Sequence, residues 1–312
     1  MSKRSPYGVT FRRKKLLKLV IAVVAVAALV GAVFSVRTLQ SKVNRERSET
    51  VGYWQAGDYA EAFRASGVQL QSAPMDYFFL RIYGDSAFQL AISQINTSEM
   101  VRYIDESIFA LRKAAQTPEG IKDGRVYYVL GKAYYFKGAE YADACVEYLE
   151  KAKALGWDAN DSAEYLGLSY ARLEDYRASV AAFAEALNTA GEHPPETLLL
   201  AIARSYVELG ENAIAESYLV RCLETSRDVD TAVEARLMLG ALMRGRDDYD
   251  GAEKQYLAIL AEAGEKAAAR HELGELYFAQ GDIARARAEW RKANRIDPAF
   301  APSIARINER LP

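Results

Sequence analysis

Between residues 131 and 274 of this 312-residue chain, a small residue recurs at a nearly constant interval, each time directly after an aliphatic residue. The copies stand at Gly131, Gly167, Ala203, Gly240 and Gly274, and the steps between them are 36, 36, 37 and 34 residues. A period of roughly 20–50 residues indicates a small folding unit that cannot bury its own apolar face and stacks on its neighbours. The period therefore predicts a stacked-repeat architecture.

The composition indicates that these units are helical. Hydrophobic residues make up 50% of the chain and charged residues 26%, while only 8 prolines occur. The abundant residues, among them Ala, Leu, Glu and Arg, lose little side-chain freedom in a helix. We therefore expect an all-α fold with a substantial core.

The clearest copy of the repeat follows Lys266. Its spaced residues are Leu273, Gly274, Tyr277, Gly281, Ala286, Trp290, Ala293 and Pro298. This spacing resembles the tetratricopeptide-repeat (TPR) family, whose pattern reads L-G-x2-Y…A-x3-F…P, although Arg270 stands where the leading aromatic residue is expected. The resemblance covers about residues 50–300 and implies a solenoid of helical hairpins that binds other proteins.

The pattern divides the chain into repeats of unequal clarity. Five clear repeats are predicted, at about 124–157, 160–193, 196–229, 233–266 and 267–300. Two degenerate repeats, at about 51–75 and 76–118, complete a predicted solenoid over 51–300, which a capping helix at 301–312 seals. In the last repeat we expect Gly274 to sit against the helix that carries Trp290, with Glu275 on the open groove side.

Ahead of the repeats lies an apolar segment that predicts a transmembrane helix over residues 16–36. Residues 19–36 contain no charge, and residues 16–36 would span roughly 31 Å as a helix, the thickness of a hydrocarbon core. Residues 1–15 form a basic tail and residues 37–50 a juxtamembrane linker. The alternative is a cleaved signal peptide and a soluble secreted or periplasmic binding module or chaperone-like factor.

Charge predicts how the chain is oriented and which partners it avoids. Seven basic residues precede the apolar segment and four follow it closely, which favours a cytoplasmic N-terminus and a periplasmic repeat domain on a single-pass inner-membrane protein. From residue 48 onward, 29 basic residues face 41 acidic ones. An acidic domain of this kind repels phosphate backbones, so nucleic acid is not an expected partner.

The sequence carries no pattern typical of catalysis. His193 and His271 are its only histidines, and Cys145 and Cys222 its only cysteines, none of them at a metal-ligand spacing. Gly131-Lys132-Ala133 lacks the Ser or Thr that ends a phosphate-binding loop. We therefore expect no enzymatic activity, no cofactor and no metal.

The TPR resemblance implies a groove lined by the first helix of each repeat. Carried over by position, the predicted protein-binding residues are Tyr128, Lys132, Tyr135, Phe136, Leu168, Arg172, Arg204, Glu208 and Arg244. Tyr128 and Lys132 replace the Lys-Asn pair of the carboxylate clamp that some TPR domains use, so that mode is not expected. The aromatic and basic residues instead favour a helix or extended segment with acidic character.

These features together predict a scaffold or adaptor. The layout of one membrane anchor followed by repeats resembles TPR proteins of bacterial envelope machines, such as the periplasmic collar of a flagellar motor or a secretion-associated assembly. Its partners would be other proteins, within a larger complex or with copies of itself, and the bilayer through residues 16–36.

Overall fold

The computed structural model describes the backbone of residues 7–309 and the side chains of residues 24 and 28–309. Within that part every regular element is helical: fifteen α-helices and two short 3₁₀ helices, with no strand. The all-α prediction is confirmed. The helices form two compact units, one up to Lys122 and the other from Asp123 onward.

Four helices make up unit 1. They are α1 (Tyr7–Gln55), α2 (Tyr59–Ser72), α3 (Tyr77–Ile92) and α4 (Thr97–Ala114). The region predicted as a juxtamembrane linker is not a separate segment, because α1 runs through it without a break. The end of α1 is tied to the start of α3, since Arg47 pairs with Asp76 at 2.8 Å and stacks on Phe78.

Much of the predicted membrane segment lies outside the described residues. Residues 1–6 are not described, and neither are the side chains of residues 7–23 and 25–27, which include most of the basic tail and half of the predicted span. Among the residues that are described, no helix combines the length and the apolar character needed to cross a membrane. The last three residues of the predicted cap, 310–312, also lie outside the description.

Unit 2 is a stack of five helical hairpins followed by a single helix. The hairpins are α5 (Gly124–Lys137) with α6 (Ala142–Ala154), α7 (Ser162–Arg172) with α8 (Tyr176–Ala190), α9 (Glu196–Glu208) with α10 (Asn212–Thr225), α11 (Val229–Gly245) with α12 (Tyr249–Glu262), and α13 (Ala267–Ala279) with α14 (Ile283–Ile296). The final helix, α15 (Ala301–Asn308), packs on α14. One boundary differs from the sequence prediction. The fourth clear repeat was predicted to start at about residue 233, whereas α11 starts at Val229.

The turn inside three of the five hairpins of unit 2 has the same local chemical cause. In the last hairpin, Gly281 takes a positive φ of 82°, and the Asp282 carboxylate then accepts the backbone N–H of Arg285 to cap α14. A left-handed residue followed by an N-cap aspartate reverses the chain and satisfies an amide that the new helix leaves unpaired. Glu174-Asp175 and Asp247-Asp248 fill the same two positions in other hairpins.

The small residue of each first helix lies against a large side chain of the second helix. A Cβ at Gly274 would overlap the ring of Trp290, which is fully buried. Gly240 meets Tyr256 and Gly167 meets Phe183 in the same way. The predicted contact between Gly274 and Trp290 is therefore confirmed, and it recurs along unit 2.

Glu275 does not lie open in the groove as expected. Its carboxylate accepts two hydrogen bonds from the guanidinium of Arg306 on α15, at 2.8 and 2.6 Å, and its side chain is only 15% exposed. The sequence pattern places Glu275 on the correct face of α13 but does not show that the capping helix covers it. Truncating Glu275 would therefore release the cap, and it is not a neutral control.

We expect Gly274→Leu to destabilise the protein by about 1–3 kcal/mol, because the added side chain would overpack the contact with Trp290. The matched control is Gly245→Leu in the last turn of α11, where a Cβ would meet nothing within 4 Å. Chemical denaturation followed by circular dichroism measures both. Equal midpoints for the two variants would show that the small residue at position 274 does not set the helix spacing.

Candidate functional site: the groove of unit 2

The first helices of neighbouring hairpins lie side by side, and two of them present the predicted binding residues. On α5, Tyr128, Lys132 and Tyr135 follow one another at i, i+4 and i+7, so they share the face opposite the buried residues. On α7, Leu168 and Arg172 are one turn apart on the corresponding face. The structure thus brings the predicted residues of α5 and α7 to one surface, which we call the α5–α7 groove.

Aromatic rings form one wall of this groove. Tyr135 makes edge contacts with Tyr165 and Phe136, with ring centroids 4.9 and 5.5 Å apart. Tyr128 lies near Trp157, at 6.4 Å between ring centroids. Sequence analysis missed Trp157 and Tyr165, because Trp157 lies in the loop after α6 and Tyr165 is offset from the groove positions of the repeat.

Lys132 and Tyr128 are engaged within the protein. The Lys132 ammonium donates to Asp161 Oδ2 at 2.7 Å, and the Tyr128 hydroxyl donates to Asp161 Oδ1 at 2.6 Å. Burial raises the pKa of the Tyr128 phenol, and its hydrogen bond to the Asp161 carboxylate raises that pKa further. Asp161 therefore compensates the Lys132 charge. The two hydrogen bonds to Asp161 tie α5 to the residue that precedes α7.

On α7 a different arrangement lies around Leu168. Glu164 and Arg172 stand one turn before and one turn after it, and neither makes an ion pair with any described residue. Burial raises the pKa of the Glu164 carboxyl, with the charge of Asp161 as a second cause. The Arg172 guanidinium lies 3.8 Å from the Tyr135 ring centroid and donates to the Tyr135 carbonyl at 3.0 Å. The Arg172 side chain is otherwise exposed.

The rest of the groove carries compensated charges. Arg204 of α9 pairs with Glu234 of α11, and Arg244 of α11 donates to Glu272 of α13 at 2.7 Å. Glu208 is exposed in the last turn of α9. The groove is thus not the basic surface that the sequence suggested, because carboxylates about 30 positions later in the chain neutralise Lys132, Arg204 and Arg244.

A histidine links the last hairpin to the cap. Nδ1 of His271 lies 3.1 Å from the Ser303 hydroxyl, and the imidazole makes an edge contact with Phe300 at 5.6 Å between ring centroids. Burial between α13 and α15 lowers the pKa of His271. The neutral imidazole is therefore the form that the folded cap favours.

No group of three or more His, Cys, Asp and Glu residues in the described part of the chain is arranged to hold a metal ion. Cys145 and Cys222 are free and buried, and burial raises the pKa of each thiol to about 11. What the groove offers to another molecule is aromatic area, the Leu168 side chain, and the charged groups of Glu164 and Arg172.

Comparison with known proteins supports the repeat assignment. The tetratricopeptide-repeat family model matches residues 267–300. No curated protein sequence matches the chain. The similar solved structures share the fold of this chain at low sequence identity. These similarities therefore concern the fold alone.

Three of these structures cover most of the chain. The C-terminal part of a TPR repeat-containing protein from Cytophaga hutchinsonii is 14% identical, with a TM-score of 0.59, and the match covers 84% of this chain and 100% of that one. PilW, described as a widely conserved type IV pilus biogenesis factor, is 16% identical over 72% of this chain and 98% of its own, with a TM-score of 0.57. PilF of Pseudomonas aeruginosa is 14% identical over 71% and 95%, with a TM-score of 0.51.

The buried His271 predicts a pH-dependent stability. The pKa of His271 is lower in the folded than in the unfolded protein, so the neutral imidazole contributes fully to the free energy of unfolding above about pH 6.5. That contribution is lost as the pH falls toward the pKa of the folded state. We expect the free energy of unfolding to fall between about pH 7 and pH 5 by more in the parent than in His271→Gln. Urea denaturation across this range measures the difference. Parallel pH profiles would contradict a buried neutral His271.

Proposed function

Residues 267–300 match the tetratricopeptide-repeat family and the other hairpins of unit 2 repeat the same fold, and from that premise we propose that the α5–α7 groove of unit 2 binds a short segment of another protein. Proteins with this fold generally act as binding modules rather than enzymes, which makes the chain an interaction scaffold. The finer proposal concerns which part of the groove is used and what the segment contains.

The observation that carries this proposal is the arrangement on α7. Glu164 and Arg172 carry opposite charges without an ion pair. Leu168 lies between them along the helix and is partly buried against the core cluster that contains Phe183. Burial of the Glu164 carboxylate is costly, the nearby Lys132 charge offsets only part of that cost, and a ligand cation would offset more of it. Arg172 is in turn held in place by Tyr135, so its free donors are already oriented toward a ligand carboxylate.

The spacing of these groups sets the chemistry of the segment. Glu164 and Arg172 are eight residues apart on one helix, roughly 12 Å along its axis, which an extended peptide crosses in about four residues. We infer that the bound segment carries a basic residue, then one or two apolar or aromatic residues, and then an acidic residue. This differs from the acidic ligand that the sequence suggested, because the other groove cations are already neutralised.

A random peptide library selected on the purified full-length chain tests this proposal. Enriched peptides should contain an apolar or aromatic residue between a basic and an acidic residue. Selection on Glu164→Lys should remove the basic preference and keep the apolar one. If the parent and Glu164→Lys enrich the same sequences, or if neither enriches a motif, the α5–α7 groove is not the site.

A matched pair of substitutions measures the contribution of Arg172 to that binding. Arg172→Ala should weaken a selected peptide by about 1 kcal/mol or more, whereas Arg204→Ala removes the same charge from an ion pair and should weaken it less. Calorimetric titration gives both affinities, and circular dichroism checks the fold. Equal losses would mean that the groove senses only total charge.

We further propose that residues 16–36 anchor the chain in an inner membrane and that the repeats lie in the periplasm, as part of an envelope assembly. The uncharged run of residues 19–36 and the excess of basic residues before it support this topology. The fold similarity to PilW, named for type IV pilus biogenesis, is compatible with an envelope role. A flagellar collar or a secretion-associated assembly would fit the same layout.

A reporter enzyme that is active only outside the cytoplasm, fused after Pro312, should be active if this topology is correct. The mass of the mature protein separates the anchor from its alternative, because cleavage of a signal peptide would remove most or all of residues 1–36. Reporter activity confined to the cytoplasm would reverse the orientation. A shortened mature chain would instead indicate a soluble binding module.

A further inference from the structure

The second helix of the last hairpin carries a concentration of positive charge that the groove does not use. Helix α14 contains five basic residues and one acidic residue, whereas unit 2 as a whole has 23 basic and 32 acidic residues. Its buried face consists of Ala286, Glu289, Trp290 and Ala293, so the basic residues lie on the remaining surface. The local charge is therefore opposite to that of the unit around it.

Three arginines of α14 follow one another along its outer side. Arg287, Arg291 and Arg295 are spaced at i, i+4 and i+8, and we call them the basic stripe. Arg291 and Arg295 are exposed and make no ion pair with any described residue. Elsewhere on α14, Arg285 pairs with Asp282 and Lys292 pairs with Glu289.

The second helix of the first hairpin in unit 2 has the opposite character. On α6 the exposed side carries Asp143, Glu147 and Glu150 at i, i+4 and i+7, which we call the acidic stripe. None of the three makes an ion pair with a described residue, and Glu150 accepts only a long hydrogen bond of 3.3 Å from Tyr170. The two lysines of α6 are occupied elsewhere, Lys153 by Glu185 and Lys151 by the Tyr127 ring.

We propose that the basic stripe of one copy binds the acidic stripe of a second copy. Both stripes consist of three like charges, and they extend roughly 12 Å and 10 Å along their helices. Two helices laid side by side can therefore bring the exposed Arg291 and Arg295 against carboxylates of the acidic stripe. Because the two stripes are different surfaces at the two ends of unit 2, the contact is heterologous and leaves one stripe free on each outer copy.

The charge of unit 2 favours a second copy over a phosphate-bearing surface. A membrane or a nucleic acid that reached the basic stripe would also bring negative charge to the acidic flanks of the unit, within the screening length of about 8–10 Å. A second copy is also acidic, but its three carboxylates on α6 lie on one narrow helix, so they reach the stripe at contact distance while its remaining charge stays farther away and is screened. The acidic stripe is a surface of this shape that every copy of the chain carries.

The assembly should be weak and sensitive to salt, because exposed ion pairs are individually weak and are screened. Confinement of the chain to a membrane would raise its effective concentration and promote the contact. The stripes lie on second helices and the proposed ligand groove on first helices. A failure of one proposal therefore leaves the other to be tested separately.

Charge reversal on each stripe tests the contact in the full-length chain, purified in a mild detergent and measured by light scattering that resolves the protein mass. At about 50 mM salt the parent should form species larger than a monomer, and at about 500 mM salt these should dissociate. Asp143→Arg with Glu147→Arg should abolish the assembly, and so should Arg291→Glu with Arg295→Glu. An equimolar mixture of the two double variants should assemble again, because each then offers the charge that the other lacks.

The matched control reverses two cations on other second helices, Arg221→Glu on α10 and Lys254→Glu on α12, and should assemble like the parent. Three results would overturn the proposal. The parent could stay monomeric at about 100 µM and low salt, both double variants could assemble unchanged, or the folded double variants could fail to assemble when mixed. If a monomeric parent binds anionic phospholipid vesicles and Arg291→Glu with Arg295→Glu abolishes that binding, the basic stripe serves a membrane surface and not a second copy.

Discussion

The contact between a small residue of one helix and a large side chain of the next determines the arrangement of unit 2. A Cβ at Gly167 would overlap the ring of Phe183, and one at Gly240 would overlap the ring of Tyr256. Because these rings are fully buried, neither can move aside without opening the core. The contact therefore sets both the spacing and the rotation of each hairpin, and through the rotation it decides which residues of the first helix face the groove.

Once that rotation is set, neighbouring first helices are linked by ion pairs with a regular sequence separation. Lys132 with Asp161, Arg204 with Glu234, Arg244 with Glu272 and Glu275 with Arg306 join residues 28 to 31 positions apart. No such pair joins α7 to α9 among the described residues. The groove charges of α7 are left available at that interruption, and this is where we place the ligand.

The repeat period was sufficient to predict the helical hairpins and the contact between Gly274 and Trp290, because each depends on spacing within one helix or one hairpin. The charge of the groove could not be predicted in the same way. Whether Glu234 reaches Arg204 depends on the rotation between hairpins, which the spacing of residues within a repeat does not encode. The capping helix shows the same limit. The sequence predicted the helix itself but not the ion pair between its Arg306 and Glu275.

The two proposed surfaces of unit 2 lie on different helices of the same hairpins, and this separation has a functional consequence. First helices carry the ligand groove and second helices carry the stripes, so a copy bound to its neighbours keeps its groove open. A row of copies would then present the groove repeatedly, and a partner with several matching segments would bind with higher avidity than any single segment provides. The segments would need a spacing equal to that of the copies, since a linker that cannot span two grooves gains nothing. Self-association through the stripes would thus convert one weak recognition site into a scaffold that selects partners by the spacing of their repeated motifs.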